Sequence, residues 1–181
     1  MKIKAGILHS PTDMTDLIKL THDYQERFID NAVFLYWRGR VLMYNGQTDI
    51  GKKHIKQALQ IDPDNTKVMR FWKSLTTAEN LKISANSAFK DGMFEVAAGL
   101  FSQALLVDPM NGTYNQSVHF NRACANHKLR KYDEALSDCD KAIALNVQYA
   151  KAYLKRGDIK MDQDLFEEAL HEYSRLKQVA P

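Results

Sequence analysis

Proline and glycine are rare in this chain, at four and eight of 181 residues. That scarcity favours helix over sheet, because folds rich in strands need frequent turns built from these residues. Cysteine is rarer still. Cys124 and Cys139 are the only two. They are too few for a disulfide framework and read as free thiols in a reducing compartment. No segment approaches the roughly 18 apolar residues that a membrane helix requires. The apolar run inside the opening MKIKAGILHS is too brief for a secretory signal, and Asp13 and Asp16 follow it closely. Charge of one sign is also lacking: a net charge of +3 gives no argument for nucleic acid as a partner. Hydrophobic residues at 45% and charged residues at 26% make an ordinary soluble balance. The expected location is the cytoplasm, with the nucleus as a second compartment, and no membrane partner. There is no Gly-rich phosphate loop, no paired acid and base, and no catalytic motif; Asp133, Glu134, Glu167 and Glu168 are scattered at surface positions. The sequence therefore points away from an enzyme, a cofactor, a metal or a small-molecule substrate.

What is present is repetition. The intervals between Gly39, Ala85, Ala123 and Gly157 are 46, 38 and 34. Ala58, Ala104, Ala142 and Leu176 repeat the same three intervals, and so do Pro63, Pro109, Val147 and Pro181. One unit thus recurs four times with a basic period of 34, lengthened by insertions after the first and second copies. A period of this length, with small residues in one helix, Ala in the next and Pro at the end, resembles the tetratricopeptide repeat (TPR). The implied fold is all-α, a superhelix of stacked antiparallel helix hairpins. The units are expected at 32–65, 78–111, 116–149 and 150–181. Residues 66–77 lack Gly and Pro, and are expected to lengthen the following helix to about Thr66–Lys90. Residues 112–115 read as a longer turn. Residues 1–31 read as a loop followed by the second helix of an incomplete repeat, helical from Asp13 to Phe28 and capped by Thr12 or Asp13. The array has no polar helix after Pro181, so a longer chain or a partner is expected to cover that end.

Small residues allow the two helices of a hairpin to approach: Gly39, Ala85, Ala123 and Gly157 from the first helix, and Gly51, Ala97, Ala135 and Ala169 from the second. Ile55, Phe101 and Tyr173 are expected to fill the space between neighbouring hairpins, and Cys139 to be a buried, inert thiol at the same position. First helices line the concave side of such an array. Lys82 and Asn86 lie four apart and share a helix face; Asn121 lies in the next first helix; Lys151 and Lys155 again lie four apart. Ammonium groups supply charge and three donors each, and Asn amides supply donors without more charge. Together they suit two closely spaced carboxylates, such as those of an acidic residue at a peptide C-terminus.

At these residues the resemblance narrows. Lys82-Ile-Ser-Ala-Asn86, Asn121 in FNRACAN, and Lys151-Ala-Tyr-Leu-Lys155 resemble the carboxylate-clamp TPR domains of co-chaperones. That family pattern is Lys-x-x-x-Asn, then Asn, then Lys-x-x-x-Arg. The departure is Lys155, which keeps the charge of an arginine but loses its bidentate geometry. The resemblance implies a non-catalytic module. Its partners would be the C-terminal Glu-Glu-Val-Asp peptides of the seventy- and ninety-kilodalton heat-shock chaperones (heat shock protein 70 and heat shock protein 90). Secondary peptide contacts are expected from Phe89, Cys124 and Lys128. The segments ANSAFKDGMFEVAAGLFSQALLVDP and HFNRACANHKLRKYDEALSDCDKAIALN also resemble the TPR blocks of the DnaJ family. No His-Pro-Asp tripeptide occurs in this sequence, so the resemblance implies a J domain beyond Pro181.

Plainer readings stand beside these. A single lysine on a helix is most often a solvated charge. Phe71, Trp72, Phe94, Phe101, Tyr132 and Tyr173 read as packing residues. His119, Cys124 and His127 lack a fourth ligand for a zinc site. The alternative function is a generic TPR scaffold whose partner needs no terminal carboxylate.

Overall fold

The computed structural model describes residues 15–179. These residues form nine α-helices and one short 3-10 turn, with no strand among them. The helices are α1 (Thr15–Asp23), α2 (Ala32–Tyr44), α3 (Thr48–Ile61), α4 (Thr66–Lys90), α5 (Phe94–Val107), α6 (Gly112–Lys128), α7 (Tyr132–Leu145), α8 (Ala150–Asp162) and α9 (Phe166–Val179). Helix α1 stops earlier than its hydrophobic spacing suggests. It ends at Asp23, and Glu26–Phe28 continues as the 3-10 turn. The expected caps at Thr12 and Asp13, the loop at 1–12 and the end at Pro181 lie outside the described residues.

The described residues divide into two compact units, 15–76 with 108–114, and 77–107 with 115–179. In the first, α2 packs on α3 around Leu35, Tyr36, Trp37, Val41, Met43, Ile55, Ala58 and Val68. In the second, a core of Ala123, Ala135, Cys139, Ala142, Ala152 and Ile159 joins α6, α7 and α8.

Local chemistry sets the helix ends. Asn31, Asn65 and Asn111 precede α2, α4 and α6, and each accepts a hydrogen bond through its Oδ1 from the amide three residues on, at 2.9, 3.3 and 3.1 Å. Each thereby satisfies one of the donors that a helix start leaves open. Within each hairpin the chain turns on a left-handed residue: Gly46 (φ 85°), Gly92 (φ 76°), Arg130 (φ 57°) and Asp164 (φ 60°). Their separations are again 46, 38 and 34. In all four, the amide that follows donates back to the helix five residues earlier, Gln47 to Leu42, Met93 to Ala88, Lys131 to Asn126 and Leu165 to Lys160, at 2.8–2.9 Å. This is the Schellman closure of a helix C-terminus, and it needs a left-handed residue. Two repeats meet that need with Gly and two with residues that carry a side chain.

The small residues do allow close approach. A Cβ at Gly39 would stand 2.7 Å from the Ile55 side chain, one at Gly51 2.5 Å from the Gly39 carbonyl, and one at Gly157 2.3 Å from the Tyr173 ring. Ala85, Ala97, Ala123, Ala135 and Ala169 are fully buried. One expectation changes: residues 112–115, expected as a longer turn, form the first turn of α6. Ile55 and Tyr173 also sit over the glycines of their own hairpins, and Ile55 shares a core with Val68 and Leu75 of α4.

A second repeat feature joins the helices of a hairpin through an arginine. Arg122 on α6 donates from Nε and Nη2 to Asp138 on α7 at 2.8 and 2.7 Å, and His119 Nδ1 approaches the same carboxylate at 2.9 Å. Arg156 on α8 meets Glu172 on α9 at 2.8 Å and Asp140 on α7 at 2.8 Å. Arg38 on α2 faces His54 on α3 at 3.2 Å and also binds the Thr21 carbonyl and Gln25. These pairs occupy equivalent positions, whereas the unit at 78–111 has Ser84 and Leu100 there. Asp138 and Glu172 are 2% and 4% exposed, so each arginine keeps a buried carboxylate paired.

Candidate functional site

Three first helices of the second unit, the later part of α4 together with α6 and α8, carry every sequence-predicted site residue. Side-chain bonds mark their register. Lys82 Nζ donates to Ser117 Oγ at 2.7 Å, and Asn121 Nδ2 donates to Asn86 Oδ1 at 3.0 Å. The offset within each pair is 35, and the two pairs stand four apart along both helices. Residues i and i+4 share one helix face, so α4 and α6 meet as two rungs of a ladder. Between α6 and α8, His127 Nε2 lies 2.9 Å from Asp162 Oδ2, at the same offset. That offset puts Lys151 and Lys155 one residue short of the positions facing Ser117 and Asn121.

The structure therefore brings Asn86 and Asn121 into direct contact and ties Lys82 to the same ladder through Ser117. Lys155 is half-buried, and its Nζ lies 3.3 Å from Asp158 Oδ2. Lys151 is exposed one turn earlier and holds no ion pair among the described residues. Phe89 stacks edge-on with Phe94, ring centroids 5.3 Å apart, as part of the packing of its own hairpin. Cys124 is half-buried one turn beyond Asn121, with Lys128 exposed a turn further.

Electrostatics follow from this placement. Burial lowers the Lys82 ammonium from its ordinary range, and Glu79 acts against that shift. Burial raises the Cys124 thiol; Lys155 and Lys128 pull it down, and Asp158 pushes it up. Lys128, Lys155 and Asp158 thus all act on Cys124. Cys139 is different: burial pushes its thiol up to about 12, and it is a core residue. His119 and His127 are taken by Asp138 and Asp162.

Two further groups at this face carry only a weak signal in the sequence. Ser117 carries the first rung, and its signal was its place four residues before Asn121. Asp158 faces Lys155 and accepts from the Tyr173 hydroxyl at 3.2 Å. Its signal was the spacing of three from Lys155.

Comparison with known proteins agrees with the architecture. The tetratricopeptide-repeat profile matches residues 32–65 and 117–149. The first TPR of Spaghetti (RPAP3), solved bound to HSP90 peptide SRMEEVD, is 36% identical and superposes with a TM-score of 0.53 over 59% of this chain and 81% of that one. This chain belongs to the tetratricopeptide-repeat family. Among its TPR relatives, human DnaJ homolog subfamily C member 7 is 36% identical over 148 residues, 82% of this chain and 30% of the relative. The homolog of that protein in Schizosaccharomyces pombe is 31% identical over 172 residues, 95% of this chain and 36% of the relative. The chain thus spans roughly a third of these curated relatives. The TPR domain of P58(IPK) superposes with a TM-score of 0.78 over 99% of this chain and 49% of that one, at 16% identity, which speaks to fold alone.

Proposed function

We propose that the second unit is a non-catalytic co-chaperone module that grips the acidic C-terminal tail, Glu-Glu-Val-Asp, of heat-shock chaperones of seventy and ninety kilodaltons. Lys82, Lys151 and Lys155 supply charge, and Asn86 and Asn121 supply oriented amide donors. The observation that carries the reading is the Asn86–Asn121 hydrogen bond at 3.0 Å beside the Lys82–Ser117 bond at 2.7 Å. Lys82 and Asn86 of α4 thereby meet Ser117 and Asn121 of α6 at one constant offset. Because Asn86 Oδ1 already accepts from Asn121, the Asn86 amide would serve a ligand carboxylate through its N–H groups.

Several features support this reading. Two neighbours of known structure, the first and second TPRs of RPAP3, were solved with HSP90 or HSP70 peptides ending in EEVD, and are 36% and 30% identical to this chain. Charge-assisted bonds of this type contribute about 1.5–3 kcal/mol each, enough for a short tail to reach micromolar affinity, about −8 kcal/mol. Cytoplasmic and nuclear placement, and a J domain elsewhere in a longer chain, go with the same proposal.

The test is calorimetry of the 181-residue chain with a synthetic peptide ending in Glu-Glu-Val-Asp. Binding that weakens with added salt and disappears when the terminal carboxylate is amidated is the expected result. Equal affinity for the amidated peptide would instead assign a general scaffold.

A further inference from the structure

Asp158 has no task in the carboxylate clamp, yet it sits within it. It lies three residues beyond Lys155 on α8, and its Oδ2 accepts from Lys155 Nζ at 3.3 Å. Its Oδ1 accepts from the Tyr173 hydroxyl of α9 at 3.2 Å. Tyr173 is not free to choose its position, because its ring lies against Gly157, where even a Cβ would come within 2.3 Å of it. The hydroxyl that holds Asp158 is therefore placed by backbone packing. The carboxylate is 39% exposed and the Lys155 side chain 22%, so both remain reachable from solvent.

The pair is also poorly matched as a helix pair. The acid stands C-terminal to the base, the weaker of the two orientations, and exposed pairs of this kind contribute little stability. A ligand carboxylate that meets Lys155 together with the Asn86–Asn121 amides has the better donor set. Asp158 keeps its Tyr173 donor when Lys155 leaves it, so the exchange strands no buried charge.

Resting on the clamp reading above, we infer that Asp158 is a built-in competitor: a surrogate carboxylate that holds Lys155 in the free protein and must release it when an acidic tail docks. It lowers the affinity of the site and reserves it for ligands that offer a full terminal carboxylate pair. Tyr173 is the positioning residue that keeps Asp158 within reach of Lys155.

A double-mutant cycle on the full 181-residue chain tests this, read by calorimetry with the free-acid Glu-Glu-Val-Asp peptide. Asp158→Asn keeps the shape and the Tyr173 partner while removing the charge. It should tighten binding about threefold to fivefold, the upper end for an exposed pair. In a Lys155→Gln background the same change should move Kd by less than about 1.5-fold. No tightening, or equal tightening in both backgrounds, overturns the inference, since equal tightening reports only the loss of a distant negative charge. An amidated peptide that binds the native chain as well as the free acid does overturns the clamp and the inference together, and that result is read on the native chain alone.

Discussion

The hairpin α2–α3 and the hairpin α6–α7 place the same positions on the same face and use them in opposite ways. Trp37, Arg40 and Tyr44 in the first correspond to Asn121, Cys124 and Lys128 in the second, all at one constant offset set by the repeat. In the first hairpin the face is closed on itself. Arg40 hydrogen-bonds the hydroxyls of Tyr36 and Tyr44, and its guanidinium lies 4.9–5.8 Å from the ring centroids of Tyr36, Trp37, Tyr44 and Phe71. Tyr44 also meets the Asp108 carboxylate at 3.1 Å, and burial raises its phenol to about 12. Cation and aromatic rings are used up in cation–π and hydrogen-bonded packing. In the second hairpin the equivalent residues are an amide, a thiol and an exposed lysine, and the amide reaches the neighbouring helix. A shared repeat geometry therefore does not imply a shared surface. Large aromatic rings around a guanidinium make a core, and short polar side chains leave donors facing outward.

The sharpest contrast lies between Trp37 and Asn121. Trp37→Ala should cost about 3–5 kcal/mol of stability in urea unfolding and, in conditions where the chain stays folded, leave Kd for the acidic peptide within about twofold. Asn121→Ala should do the reverse: melting nearly unchanged, affinity down at least about tenfold, as expected for a lost charge-assisted bond. Equal loss of binding in both variants would erase the distinction between a closed and an open face. The internal arginine pairs come next. Asp138→Ala leaves half-buried Arg122 with only its Ser102 bond and no carboxylate, and should cost about 3 kcal/mol, whereas His54→Ala, opposite Arg38, should cost clearly less in the same assay. The turns differ by less. Arg130→Gly should stabilise by about 1 kcal/mol, because the left-handed conformation no longer opposes a side chain, and Gly46→Ala should destabilise by about the same amount; the measurement is the shift in urea midpoint.

Acid separates the two hairpins by the smallest margin. Burial lowers the His54 pKa, with Arg38 adding to the effect. The unfolded chain then binds more protons than the folded one, so this contribution is present above the ordinary histidine pKa near 6.5 and declines as pH falls through it. Burial acts to raise the Asp138 carboxyl, but the hydrogen bonds from His119 and Arg122 outweigh it and hold the group below the usual carboxylate range. Its contribution lasts to lower pH and fades only below about 4. Urea midpoints between pH 7.5 and 5.5 should therefore fall less in His54→Gln than in the native chain.

Much of this was legible in the residues. The intervals of 46, 38 and 34 mark the repeat in the sequence alone, because close packing of Gly and Ala leaves a periodic mark. The pairs Lys82–Asn86 and Lys151–Lys155 followed from helix geometry alone. Other features left no such mark. Repeat arithmetic aligns Asn86 with Cys124, yet its contact is Asn121, nearly one turn earlier on the same helix.

Equivalence within a repeat was a property of the chain, written in small residues and their spacing. Adjacency between repeats was a property of the packed helices, since their stagger sets which side chains meet. That stagger paired Asn86 with Asn121 and Lys82 with Ser117. The seat of Tyr173 on Gly157 likewise brought a carboxylate from α8 under a hydroxyl from α9, beside the lysine expected to bind a ligand. Local sequence determined which groups the face would own, and helix packing determined which of them would be met first by a neighbour.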